Sequence, residues 1–142
     1  MEPSVIRLTE VFLDSAFAIA LFAPGDLFHG KATELAEQME RDGTRIITTR
    51  AVMLEISNAL AKQRFRADAV SLLDALEADP SVEIVPLTED LFARALHLYR
   101  SRPDKEWGLV DCVSFTVMVE QGITAAWTTD AHFRQAGFHV LL

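Results

Sequence analysis

Residues Leu109 to Leu141 read LVDCVSFTVMVEQGITAAWTTDAHFRQAGFHVL. The run from Leu109 to Gln121 is apolar almost all round, which predicts a helix sunk in the core, and Gly122 ends it. Ala125 to Thr128 is a short apolar run of strand length. Ala131 to Gln135 predicts about one helical turn, stopped by Gly137, and Phe138 to Leu141 predicts a last strand. Helix, strand, helix and strand succeed one another with little room for hairpins. That alternation is the mark of an α/β fold with parallel strands.

Upstream the same grammar repeats without any internal sequence repeat. Val11 to Leu13 predicts a buried strand, and Ala16 to Phe22 a short apolar helix closed at Pro24-Gly25. Asp26 is the expected cap of a helix running to Arg41, which ends at Asp42-Gly43. Arg45 to Thr48 is a second strand, with Thr49 as N-cap of a helix expected to reach Arg64. Ala67 to Glu77 is a further helix, Val82 to Val85 a third strand, and Thr88 caps a helix to Arg100. The strands are apolar throughout, as when helices cover both sheet faces. The expected architecture is a three-layer α/β/α sandwich with a mainly parallel central sheet, formed as one domain over residues 1–142.

Composition removes several classes of function. Half of the residues are hydrophobic, which argues against disorder. No apolar run reaches the length of a membrane span, and Glu2 and Glu10 spoil the basic start of a cleavable signal. Cys112 is the only cysteine, so no internal disulfide forms, and it reads as a small core residue. A cytoplasmic setting is expected. The net charge of −8 argues against broad electrostatic adhesion to nucleic acid. A local basic rim is still possible, from Arg50, Lys62, Arg64, Arg66, Arg100, Arg102 and Lys105. Each of these is also an ordinary solvated charge.

Four acids stand inside or beside apolar runs: Asp14, Glu55, Asp111 and Asp130. A carboxylate so placed loses hydration, and none of the four runs contains a Lys or Arg to compensate. A hard divalent cation such as Mg²⁺ would serve all four, since it prefers oxygen ligands. Each acid has a structural alternative. Asp14 and Asp130 each come after a strand and suit the N-cap of the next segment. Asp111 falls at the third position of a helix capped by Gly108, where a carboxylate suits the helix terminus. Glu55 has the apolar neighbours Ala51, Val52, Ile56 and Ala59 at turn spacing, and otherwise pairs with a distant Arg. Ligands of parallel sheets bind beyond the carboxyl ends of strands, and Asp14 and Asp130 both lie there. Possible auxiliaries are Ser15, Asn58, Ser114, Thr128 and Asp104. Asp104 either reaches the site through water or starts a turn after Pro103. Trp107 is a candidate for stacking on a base, and Arg50 for contacting substrate.

The order of the acids carries a resemblance. The relevant stretches are Val11-Phe12-Leu13-Asp14-Ser15, Thr49 to Asn58 around Glu55, Asp104 to Phe115 around Asp111, and Thr128 to Phe138 around Asp130. The chain resembles the PIN-domain family, most closely its VapC-like ribonuclease toxins. The resemblance implies that Asp14, Glu55, Asp111 and Asp130 are the acidic quartet that binds Mg²⁺ or Mn²⁺. It further implies an RNA substrate, in-line hydrolysis leaving a 5′-phosphate, a protein antitoxin, and a homodimer. Gly108 stands where the family commonly has a Ser cap, a change worth only a few tenths of a kcal/mol. Residues before Thr9 exceed the usual N-terminus and have no assigned role.

The rivals are weaker. His29, His97, His132 and His139 lack the spacing of a zinc-binding helix, and His29 and His132 read as surface or packing residues. A phosphatase using Asp14 as nucleophile wants a second Asp two residues on, where this chain has Ala16. A non-catalytic PIN-like module that binds RNA or protein would be expected to lack an intact quartet.

Overall fold

The computed structural model describes residues 9–142; the N-terminal extension before Thr9 lies outside them. Its strands are β1 (Glu10–Leu13), β2 (Arg45–Thr49), β3 (Val82–Val85), β4 (Ala125–Trp127) and β5 (His139–Val140). They form one sheet in the order β3-β2-β1-β4-β5, every neighbouring pair parallel. The helices are α1 (Ser15–Phe22), α2 (His29–Asp42), α3 (Arg50–Ala59), α4 (Gln63–Ala78), α5 (Glu89–Ser101), α6 (Leu109–Gln121) and α7 (Ala131–Gln135). The result is the expected three-layer α/β/α sandwich. Parallel neighbours require crossover connections, and the helices supply them.

The strand order reverses beside β1, because β2 and β3 build to one side while β4 and β5 build to the other. This is the switch point at which ligands bind in open parallel sheets. Register fixes what meets there. Leu13 pairs with Trp127, and the Asp14 N–H continues the ladder by donating to the Trp127 carbonyl at 3.1 Å. The Thr48 hydroxyl donates to the Leu13 carbonyl at 2.9 Å and ties β2 to the same end.

The core is built from the residues whose periodicity announced it. Val11, Phe12, Ile47, Val52, Ile56, Met118 and Phe133 are wholly buried, as is Cys112. Phe133 meets Phe12 at 6.2 Å and Phe115 at 4.9 Å between ring centroids, which clamps α7 between β1 and α6. On the other flank, Phe17 of α1 stacks on Trp127 of β4 at 3.7 Å. Among the described residues no helix is long and apolar enough to cross a membrane.

The expected caps hold at three places. Thr49 Oγ1 accepts from the Val52 N–H at 3.0 Å, and Thr88 Oγ1 from the Leu91 N–H at 3.1 Å. Gly108 caps α6 with Asp111 as its third residue. Two boundaries differ. Asp26 caps a turn, accepting from the Phe28 N–H at 2.9 Å, and α2 starts only at His29. The helix expected to reach Arg64 stops at Ala59, and α4 begins at Gln63. No Gly or Pro marks that break; Lys62 makes it with extended backbone.

Candidate metal centre at the strand ends

Asp14 comes directly after β1. It occupies the N-cap position of α1, yet its side chain makes no capping hydrogen bond. The carboxylate turns toward β4, where the Thr128 hydroxyl donates to Asp14 Oδ2 at 2.6 Å. Of the two roles open to Asp14, capping is thus the one its side chain does not perform. The residue is 3% exposed. Burial is the main reason its carboxyl is pushed up from 3.8 to about 7. The Thr128 hydrogen bond opposes that shift, and the nearby charges of Glu55 and Asp111 add to it.

Glu55 projects from α3 to the same place. The Ser15 hydroxyl, one residue beyond Asp14, donates to Glu55 Oε1. Ser15 is buried and Glu55 half-buried. The buried residues Val52 and Ile56 flank Glu55 on its helix, as its apolar neighbours predict. A hydroxyl on each side therefore fixes one carboxylate: Thr128 for Asp14, Ser15 for Glu55.

Asp111 sits at the third position of α6 and accepts the Gly108 N–H on Oδ2 at 3.2 Å. Its carboxyl is raised, first by burial and then by the charge of Asp130. Asp130 caps α7, accepting the His132 N–H on Oδ1 at 2.9 Å, while its own N–H donates to Thr128 Oγ1 at 3.0 Å. Thr128 is thus the hinge of the site, since one hydroxyl serves both Asp14 and Asp130. Both capping roles hold for Asp111 and Asp130, and each role occupies one carboxylate oxygen.

His132 completes this side. Its Nδ1 lies 3.1 Å from Asp111 Oδ2 and 3.3 Å from Asp130 Oδ1. One ligand atom from each of Asp111, Asp130 and His132 falls within 4.8 Å of the others. Two carboxylates and one imidazole thus gather closely, and Asp14 and Glu55 stand near them, the charges of Glu55 and Asp111 both acting on Asp14. Oxygen-rich sites of this kind suit hard divalent ions. The residues present fit such a group.

Residues 11–139 match the family model described as the PIN domain. The chain belongs to the PIN-domain family. This PIN domain is 30% identical over 128 residues to the 23S rRNA-specific endonuclease VapC20 of Mycobacterium tuberculosis, spanning 90% of this chain and 95% of the relative. The crystal structure of that VapC20, a sarcin–ricin loop cleaving toxin, matches with a TM-score of 0.81 at 29% identity, over 90% of this chain and 95% of the other. VapBC2 from Rickettsia felis, bound to a DNA fragment from their promoter, matches with a TM-score of 0.68 at 13% identity over 92% of this chain and 96% of the other. The last likeness concerns the fold alone.

Several expected auxiliaries of this PIN domain stand elsewhere. Asp104 is exposed and forms a two-pronged pair with Arg102, at 2.9 and 3.0 Å, which holds its carboxyl below the ordinary range. It starts a turn and does not reach the acids. Ser114 is buried and donates back to the Val110 carbonyl at 3.2 Å, inside its own helix. Arg50 pairs with Glu77 of α4, not with the acidic pocket. Asn58 is exposed, one turn along α3 from Glu55. Trp107 is 7% exposed: Phe115 meets it edge-on at 5.1 Å, Arg102 covers its face at 5.0 Å, and its Nε1–H donates to Gln135 at 3.2 Å. The ring is largely enclosed, with its remaining surface on a cleft beside Gly108. Ser15 and Thr128, by contrast, are the two hydroxyls on the quartet.

His29 is a packing residue as expected, with Nδ1 2.8 Å from the Ala20 carbonyl. His132 is partly exposed and stands beside two of the acids, a neighbourhood the sequence did not announce. The missed signal was local: an Asp cap accepts from the N–H two residues on, which holds residue 132 beside Asp130. Beside Gly108 a cleft of about 570 Å³ is lined by Tyr99, Arg100, Arg102, Lys105 and Glu106. Part of the expected basic rim thus gathers next to the residue that caps Asp111.

Proposed function

We propose that this chain is a metal-dependent endoribonuclease, acting as the toxin of a toxin–antitoxin pair. Asp14, Glu55, Asp111 and Asp130 would hold Mg²⁺ or Mn²⁺. The observation that carries the reading is the desolvated Asp14 carboxylate, kept in place by Thr128 and crowded by the charges of Glu55 and Asp111. An acid buried among acids either keeps a proton or takes a cation, and above about pH 7 the proton is lost from Asp14. The chemistry such an ion supplies when bound is activation of water near neutral pH and neutralisation of charge on a phosphoryl oxygen.

The chain's own residues then have distinct tasks. Thr128 and Ser15 orient Asp14 and Glu55 through their hydroxyls. Asp111 or Asp130 takes the proton from the attacking water. The Tyr99–Lys105 cleft supplies positive charge for the RNA strand in a chain whose overall charge is negative. The similarity to VapC20 supports RNA as substrate, and 23S rRNA is the first to try. A protein antitoxin, a homodimer, a cytoplasmic location and a single folded domain complete the proposal.

The test is cleavage of 23S rRNA and of a sarcin–ricin loop oligonucleotide in Mg²⁺ or Mn²⁺. Wild type should cut, with a 5′-phosphate on the product. Asp14→Asn and Asp111→Asn should each lose at least about a hundredfold, the scale of disturbing a metal site. Wild type that binds RNA but cuts none of it with either ion would favour a non-catalytic interaction module.

A further inference from the structure

The family's metal reading rests on carboxylates, yet among the described residues the group of ligand-type atoms gathered closely enough for one ion includes an imidazole. We propose that His132 Nδ1 is itself a metal ligand, forming with Asp111 and Asp130 a mixed oxygen–nitrogen position that favours Mn²⁺ over Mg²⁺. The inference rests on the metal-dependent reading above and adds to it which ion the chain prefers.

The geometry supports direct ligation. An ion with six ligands at about 2.1 Å and right angles puts neighbouring ligand atoms about 3 Å apart. His132 Nδ1 stands 3.1 Å from Asp111 Oδ2 and 3.3 Å from Asp130 Oδ1. Both separations match neighbouring positions of that octahedron, and all three ligand atoms lie within 4.8 Å of one another. Ionised carboxylates only accept, so in the metal-free chain Nδ1 carries the proton and donates between them. On binding, the ring needs only to move that proton to Nε2, which leaves Nδ1 as a lone-pair donor.

The imidazole is also held for the task. Phe133, the next residue, is wholly buried against Phe12 and Phe115. The His132 N–H is fixed on Asp130 Oδ1 at 2.9 Å. Side chain and backbone of residue 132 thus both address the same carboxylate. A nitrogen donor changes selectivity for a known reason: imidazole suits first-row transition ions, whereas Mg²⁺ favours oxygen and retains its waters.

The experiment uses MnCl₂ and MgCl₂ as probes on the full chain freed of metal. Calorimetric titration gives both affinities for wild type, His132→Ala and His132→Gln. Electron spin echo of bound Mn²⁺, in wild-type protein carrying ¹⁵N-labelled histidine, reads nitrogen coordination directly. The expected result is a histidine nitrogen coupling in wild type. In both variants Mn²⁺ affinity should fall about tenfold or more, with Mg²⁺ affinity changed by less than about threefold. Bound Mn²⁺ without nitrogen coupling would overturn the inference and leave the ribonuclease reading standing. Equal losses for both ions would overturn it too. Wild type that binds neither ion would remove the metal reading with it. The spin-echo measurement needs no variant, so a misfolded His132→Ala would not blunt the test.

Discussion

Asp14 and Asp130 occupy comparable places in the fold, Asp14 just beyond β1 and Asp130 shortly beyond the neighbouring β4. Their surroundings differ sharply. Asp14 is 3% exposed, makes no capping bond to the helix it precedes, and accepts from the hydroxyl of Thr128 just beyond β4. Asp130 is a working helix cap with a third of its side chain exposed. In the buried half, where Ser15 holds Glu55, Asp14 carries an electrostatic load that the Thr128 hydroxyl only partly relieves. The open half, Asp111 with Asp130, is supported by helix termini and by His132. A common position at strand ends thus yields one carboxylate crowded by burial and neighbouring charge and another that serves as a helix cap.

The largest expected effect tests the buried half. In the folded chain Asp14 holds its proton up to about pH 7, whereas unfolded it releases it near 3.8. Between those values the folded state binds the extra proton, so this residue's contribution to stability falls as pH rises and is constant above about 7. The full loss is on the order of 4 kcal/mol. Asn cannot ionise and can still accept from Thr128. Metal-free Asp14→Asn should therefore gain on wild type from pH 4.5 to about 7 in urea unfolding and level off above it. Millimolar Mn²⁺ should narrow the advantage, stabilising wild type by about 2.7 kcal/mol at a hundredfold excess over its dissociation constant. Parallel pH curves for the two proteins would mean that Asp14 is not the strained acid.

A smaller effect belongs to the hinge between the halves. Thr128→Val removes the donor to Asp14 and the acceptor for the Asp130 N–H while keeping the shape of the side chain. Leaving buried polar groups unpaired costs about 1–3 kcal/mol each. Metal-free stability at pH 8 should drop by that order. The drop should shrink at pH 5, where Asp14 is protonated and better tolerated. Ion affinity should weaken about tenfold, as for other groups that orient ligands. Unchanged ion binding would show that Thr128 only packs.

The contrast also explains what the sequence disclosed. Thr49, Thr88 and Gly108 are caps read from local chemistry, and strands between them are apolar runs of unmistakable length. Those signals act over a few residues, so the α/β order and all four acids were legible. The Asp14–Thr128 bond joins residues 114 apart in the chain, and nothing local at Asp14 distinguishes it from a cap. Trp107 looked available because it sits in a loop, but Arg102 and Phe115 enclose it from two other segments. The break between α3 and α4 escaped notice because residues 60–62 contain no Gly or Pro. His132 lacked any metal spacing in sequence, since its partners come from the start of α6 and from its own cap.

The smallest stability effect is expected in the open half, and it separates function from fold. Asp130→Asn keeps an N-cap of nearly equal strength, and it removes charge from a group that is already a third exposed. Metal-free stability at pH 8 should change by no more than about 0.5 kcal/mol, the usual range for a surface position. Cleavage in Mg²⁺ or Mn²⁺ should nonetheless fall at least about a hundredfold, because the substitution removes an anionic ligand beside Asp111 and His132. Side by side, the two Asp→Asn variants isolate the comparison. Both should abolish turnover, but only the one at Asp14 should stabilise the metal-free chain. An Asp130→Asn protein that gained as much stability as Asp14→Asn would show that the open acid bears the same load as the buried one.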